Sequence, residues 1–421
     1  MVFPAQDTPK RSLWLSNLDL VQLRYHVPTI YFYKPNGNSS NFFEPKVLKD
    51  SLSEILVPFY PIAGRLQYDE TGKLEIISNG KGVLFLEAET TSIIDDLIGN
   101  FTDSSRVPKL VPTVDYSGGI SSYPLLALQV TTFKCGGVSL GVALEHTLTD
   151  GPSALHFINS WAEMVRGLPL KIAPCHDRTL LKARVPPTPT FHHVEFQTFP
   201  RLKDSLPTNP KPSTVSVFKI TVNQLYTLKS KISENSEQHY STYSILTAHI
   251  WRCAIKARGL ADDQEVKLLM PIDGRRRLDP PLPLGYFGNV IFTATPFVQV
   301  GVLETEQLLD TVRRIDETLK QFNDEYLRSA LDYMEVVGAE NVVFGPETMG
   351  CPNLSINSWI WLPIHEADFG WGRPVYMRPA NVVQEGKFYI LPSPINDGSL
   401  SVVTRLETLA MESFGKLLYE F

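Results

Sequence analysis

The sequence is short of several features that would place it quickly. None of its apolar runs approaches the ~18 residues that a membrane span requires. The first eleven residues, MVFPAQDTPKR, hold no apolar core of signal-peptide type. Cysteine is sparse: Cys135, Cys175, Cys253 and Cys351 form no CxxC pair, so neither a zinc site nor a disulfide framework is supported. A basic excess is also missing. Lys and Arg number 39 against 45 Asp and Glu, for a net charge of −6, and no block of like charges offsets it. Nucleic acid and other polyanions are thereby set aside as partners. The expectation is a cytoplasmic protein with neither a metal nor a membrane span, and nothing in the sequence demands more than a monomer.

Apolar material is plentiful. Hydrophobic residues make up 43% of the 421, with 22 Phe, 16 Tyr and 6 Trp, which suffices for large buried cores. At about 150 residues per domain, two or three domains are expected. Seven prolines crowd into residues 186–212, where they remove backbone donors and disfavour helix. This stretch reads as an extended crossover, dividing the chain into domains at 1–185 and 215–421 with a crossover at 186–214. Both halves mix strands and helices. Residues 31–33, 125–132 and 138–145 read as strands in the first half, and 290–300 and 398–406 in the second. Residues 46–57 carry a helical stripe that Pro58 stops, and 242–258 and 306–322 also read as helices. Without regular βαβ spacing the class is α+β.

Two strings stand out as carriers of chemistry. Strand 138–145 runs into His146-Thr147-Leu148-Thr149-Asp150-Gly151, and Pro152 fits the first position of a following helix. A histidine at a strand end suits a general base, since its ordinary pKa of ~6.5 lets it accept a proton at neutral pH. In isolation, a half-buried His with an Asp capping the next helix explains the pattern equally well. The second string, Asp368-Phe369-Gly370-Trp371-Gly372, sets two glycines around a tryptophan. It suggests a tight loop whose backbone takes torsions that side chains forbid. Gly137-Val138-Ser139-Leu140-Gly141 has the GxSxG form of a nucleophile elbow, but Ser139 continues an alternating strand where an elbow needs a sharp turn. A serine hydrolase using Ser139 is kept as an alternative. Asp273-Gly274-Arg275-Arg276-Arg277 is a compact cationic cluster, and Leu284-Gly285-Tyr286-Phe287-Gly288-Asn289 reads as a constrained turn.

Together HTLTDG and DFGWG, at this separation, resemble the plant BAHD acyl-CoA-dependent acyltransferases. The likeness extends to Ser16-Asn17-Leu18-Asp19, residues 56–66 (LVPFYPIAGRL), 241–260, 270–277 and 285–289. It is strongest to the hydroxycinnamoyl-CoA shikimate/quinate transferase branch, through Tyr25-His26-Val27-Pro28, Tyr31-Phe32-Tyr33, 133–140 (FKCGGVSL), 156–161 (HFINSW) and 177–187. The resemblance implies two chloramphenicol-acetyltransferase-like domains with mixed sheets, joined by a long crossover loop, with the active-site channel at their interface. It implies that His146 is the general base and that Trp371 donates its indole N–H to the oxyanion. Asp150, Gly151, Asp368, Gly370 and Gly372 become structural members of the two motifs, the two carboxylates turned toward arginines. His26, Tyr31, Trp361 and Arg378 are the implied substrate contacts; Ser241, Thr242, Arg275 and Asn289 are the implied CoA contacts. No cofactor is implied, because the CoA thioester is a substrate.

One departure bears on the acceptor. The branch commonly places an arginine ahead of Leu-Pro-Ile to clamp an acceptor carboxylate, and here Trp361 holds that place before Leu362-Pro363-Ile364. Loss of a bidentate cation in a dry site costs about 1.5–3 kcal/mol. An acceptor with an aromatic ring suits Trp361 better, with Arg378 as a relocated charge. The expected reaction is transfer of a p-coumaroyl or caffeoyl group from CoA to a small acceptor hydroxyl, shikimate- or quinate-like or an aromatic hydroxy acid such as hydroxyphenyllactate. N-acylation of an aromatic amine by the same chemistry and a non-catalytic relative that binds CoA esters remain as alternatives.

Overall fold

In the computed structural model the described residues are 1–37, 41–98, 106–197, 200–202, 211–234, 236–342 and 350–421. The expected crossover at 186–214 falls partly outside them, at 198–199 and 203–210. Two compact units are present. The first comprises Met1–Ala183, Pro280–Val290 and Leu362–Asn381; the second comprises Arg184–Asp279, Ile291–Trp361 and Val382–Phe421. Two segments from the second half of the sequence, one of them carrying DFGWG, thus pack within the first unit.

The first unit is built on a five-stranded mixed sheet in the order Tyr376–Pro379, His26–Tyr33, Val138–Glu145, Leu126–Phe133, Leu84–Thr90. Only the last pair is parallel. Val138–Glu145 lies in the centre and is buried at every position, which explains its near-continuous apolar sequence. A smaller antiparallel sheet joins Arg11–Trp14, Leu74–Ser78 and Arg65–Tyr68. Pro45 opens the helix Pro45–Ile55, which buries Leu48, Ser51, Leu52 and Ile55 at the spacing of one helical face. Within that core the Trp161 indole N–H donates to Ser51 Oγ at 3.1 Å.

A mixed sheet of seven strands forms the second unit. Its order is Ile291–Ala294, Glu265–Asp273, Leu354–Ser358, Lys387–Pro392, Leu400–Glu407, Ser213–Ile220, with Phe297–Gln299 also on Glu265–Asp273. Residues 290–300 read as one strand from sequence; the structure breaks them in two. Pro296, which has no N–H for the ladder, lies at the break. Helix Thr242–Arg258 begins where Ser241 Oγ accepts the Ser244 N–H and ends at Gly259, whose φ of 57° suits a residue without Cβ. Further along, Asp332 accepts the N–H groups of Arg184 and Thr188, and Ser329 those of Thr190 and Phe191, which fixes the start of the crossover to helix Asp324–Val337. Among the described residues no helix is long and apolar enough to cross a membrane.

Candidate active site

Strand Val138–Glu145 ends in a turn in which Leu148 N–H donates to Glu145 O and Thr149 N–H to His146 O. Residues 147–150 are buried, as is Glu145; His146 alone in this stretch is only half-buried. Its backbone N–H donates to Tyr25 O at 3.1 Å. Asp150 does not turn back to the histidine. One carboxylate oxygen accepts the Ser153 N–H and caps helix Gly151–Val165, while the other accepts the Val290 N–H at 2.9 Å. Gly151 is the first residue of that helix.

Beneath the histidine turn lies a polar network that the sequence reading did not anticipate. Asn289 is fully buried, and its Nδ2 donates to His146 O at 2.9 Å, Thr147 O at 3.3 Å and Asp19 Oδ1 at 2.9 Å. Asp19 is ion-paired with Arg178 at 2.7 Å, both side chains being buried, and Arg178 donates to Leu148 O at 2.6 Å. Three successive carbonyls of the turn, at 146, 147 and 148, therefore accept from fixed donors. Asn289 was expected to contact CoA; with its amide N–H groups committed inside the fold it holds the histidine turn instead. The one signal in the sequence was Ser16-x-x-Asp19, the spacing of a capping box, which does form. Nothing local announces its partners at 178 and 289.

The DFGWG loop closes on itself. Asp368 Oδ1 accepts the N–H groups of Gly370 at 2.8 Å and Gly372 at 3.0 Å, so its carboxylate faces backbone donors rather than the expected arginine. Both glycines have φ near +100° (98° and 102°), where a Cβ would be strained. Phe369 is buried 4.9 Å from the Trp161 ring and 5.6 Å from Phe43. Trp371 is half-buried, 5.0 Å from Phe43. Tyr33 anchors the loop start by donating to Ala367 O.

The remaining expected contacts do not all converge. His26 is buried, with Nε2 at 2.8 Å from Pro124 O and Nδ1 at 2.9 Å from the Tyr116 hydroxyl, and burial depresses its pKa to about 4. Both ring nitrogens are thus engaged within the fold rather than offered to a substrate. Tyr31 pairs with Met377 and Arg378 with Ile30, so Tyr31 and Arg378 project from opposite faces of the sheet. Arg378 is buried, on the face that carries Ile30, Phe32 and Tyr376. Trp361, in the second unit, is 91% exposed. Also in that unit, Ser241 and Thr242 open helix Thr242–Arg258 and Arg275 binds Asp273 at 3.0 Å. Arg277 donates to Leu319 O in the last turn of helix Leu308–Lys320 and to Phe322 O just beyond it. Ser139 is fully buried within strand Val138–Glu145, paired with Phe32 on one side and Thr131 on the other, with the strand continuing for six residues after it, which removes the nucleophile-elbow reading.

Comparison with known proteins agrees with this architecture. Vinorine synthase superposes with a TM-score of 0.77 at 22% identity, covering 98% of this chain and 94% of that one; this shows a shared fold. Shikimate O-hydroxycinnamoyltransferase of Nicotiana tabacum is 51% identical over 428 residues, covering 100% of this chain and 98% of the relative. A hydroxycinnamoyl-CoA:5-hydroxyanthranilate N-hydroxycinnamoyltransferase of Avena sativa is 47% identical with the same coverage. The sequence pattern of the Transferase family matches residues 1–420. With its whole length so matched, and with two units of the mixed-sheet type that the motifs implied, the chain belongs to the Transferase family of BAHD enzymes and is an acyltransferase.

Proposed function

We propose that the protein transfers a hydroxycinnamoyl group from its CoA thioester to the hydroxyl of a small acceptor, shikimate- or quinate-like or an aromatic hydroxy acid. The His146 imidazole takes the hydroxyl proton, and the oxygen attacks the thioester carbonyl within a ternary complex. The tetrahedral oxyanion accepts from the Trp371 indole N–H, a group that only donates. Collapse breaks the C–S bond, and the proton on His146 passes to the departing thiolate. The observation that carries this reading is the histidine turn: His146 keeps partial access while its neighbours are buried and its carbonyl is pinned by Asn289. Such fixing of the backbone with a side chain left accessible is what a positioned base requires. The 51% identity to the tobacco shikimate transferase supports the donor class and the acceptor type.

A second reading, acylation of an aromatic amine, draws on the 47% identity to the Avena sativa 5-hydroxyanthranilate N-hydroxycinnamoyltransferase. The fully exposed setting of Trp361 gives no help in choosing between them. The deciding experiment is a mass-spectrometric assay with p-coumaroyl-CoA and caffeoyl-CoA against shikimate, quinate, 4-hydroxyphenyllactate and anthranilate. Ester products are expected. Amide alone would favour the second reading, and turnover by a folded His146→Ala within about tenfold of wild type would remove the general-base mechanism.

A further inference from the structure

Trp371 lies between Gly370 and Gly372, whose φ values of 98° and 102° shape the loop but whose lack of side chains leaves the indole without a brace from its own neighbours. An oxyanion donor has to be aimed before the reaction begins. What fixes the indole plane therefore has to come from outside the Gly-Trp-Gly triplet. Two rings meet it: Phe43, with centroids 5.0 Å apart at 36°, and Phe42, at 6.1 Å and 71°. Both belong to one turn, closed by the Glu44 N–H donating to Asn41 O at 3.2 Å. The third residue of that turn breaks a local rule. Phe43 has a φ of 52°, in the left-handed region that turns with a positive φ at this place fill with glycine or asparagine. Among the described residues Asn396 is the other non-glycine with positive φ, and its short polar side chain tolerates the conformation; a phenyl ring has no such compensation. Pro45, at the start of helix Pro45–Ile55, holds Glu44 extended and leaves the reversal to Phe43.

Strain of this kind persists where the surroundings over-determine it. Here they do. Phe43 is 2% exposed, with its ring 4.4 Å from Tyr33 and 5.6 Å from Phe369 as well as against Trp371. Tyr33 and Phe369 are themselves fixed, Tyr33 by its hydrogen bond to Ala367 O and Phe369 by the Trp161 ring at 4.9 Å. The Phe43 ring thus has a rigid back, formed by two buried rings, and a half-buried front, the indole. We propose that Phe43 is a positioning residue for Trp371: the left-handed turn drives its ring into the aromatic cluster, and the ring sets the plane in which the indole N–H meets the oxyanion. The inference rests on Trp371 being the oxyanion donor. Leucine at 43 would fill much of the volume and keep the turn, but it offers the indole a rotatable aliphatic surface in place of a flat ring.

The test is a double-mutant cycle of Phe43→Leu and Trp371→Phe, read as kcat with p-coumaroyl-CoA and the best acceptor. Phe43→Leu lowers kcat about tenfold and leaves KM for the acyl-CoA within about twofold. In the Trp371→Phe background, where no N–H remains to be aimed, the same substitution changes kcat by less than about twofold. A role in packing alone lowers Tm in both backgrounds and gives either no loss of kcat or the same loss in both; each of those results overturns the proposal. Fluorine NMR of protein carrying 5-fluorotryptophan adds a readout that does not need Phe43→Leu to fold. Of the six tryptophan signals, the one missing from Trp371→Phe belongs to Trp371. In wild type it is expected to be single and displaced from the solvent-exposed position by the Phe43 ring, and in Phe43→Leu to move toward that position. An exposed-type Trp371 signal in wild type overturns the proposal. Wild-type kcat in Trp371→Phe removes the oxyanion reading itself, whereas a reduced kcat there with equal losses in both backgrounds removes the Phe43 assignment alone, so the two failures are distinguishable.

Discussion

Replacement of Asn289 by alanine separates a structural clamp from a CoA contact. The substitution removes donors to Asp19 Oδ1, His146 O and Thr147 O, and leaves those acceptors buried. A hydrogen bond to a charged group is worth about 1.5–3 kcal/mol and a neutral one about 0.5–1.5. Asp19 keeps Arg178, the Ser16 N–H and the Asn289 backbone N–H, so its loss lies at the low end. The total comes to about 3 kcal/mol. In a unit of roughly two hundred residues this lowers Tm by about 6–12 °C. The His146 carbonyl is left with the Thr149 N–H alone, and a misplacement of about 1 Å costs about 100-fold in rate. The expected outcome by thermal unfolding and a stopped chromatographic assay is a lower Tm and a kcat reduced about 10- to 100-fold, with KM for the acyl-CoA within about twofold. A raised KM for the acyl-CoA with wild-type Tm and kcat would refute the reasoning and return Asn289 to the CoA site.

Two further outcomes follow from the same geometry. Trp371→Phe keeps a ring against Phe43 but removes the N–H, so kcat should fall about 100-fold or more with Tm nearly unchanged; wild-type kcat would leave Trp371 a packing role only. Acid stability should depend on His176, which donates from Nε2 to Pro58 O and is depressed by burial to about 4 from 6.5. Between those values the unfolded chain binds a proton that the folded chain refuses, so stability falls as the pH drops from 6.5 toward 4. Glu145 opposes this, since its raised pKa makes the folded chain the better proton binder between 4.5 and about 7. In urea titrations His176→Gln should lose about 2 kcal/mol less than wild type between about pH 7 and 5, and equal losses would refute the assignment.

The elements that chemistry marks locally were legible in the sequence, and those that depend on distant pairing were not. Helix Thr242–Arg258 follows from a serine cap and a terminal glycine, and strand Val138–Glu145 from an unbroken apolar run. The DFGWG loop was legible as a loop because only glycine relaxes at φ near +100°, but the use of Asp368 to bind its own backbone was not. The Asp19–Arg178–Asn289 network joins residues far apart in the chain, and nothing local marks them as one another's partners. Register explains the other failures. Tyr31 and Arg378 look equally available in a list of residues, yet the pairing of Tyr31 with Met377 rather than with Arg378 places them on opposite faces. A slip of one residue would have reversed that. The same alternation puts Glu145, the sequence neighbour of His146, on the face of His26, a contact that only the strand register shows.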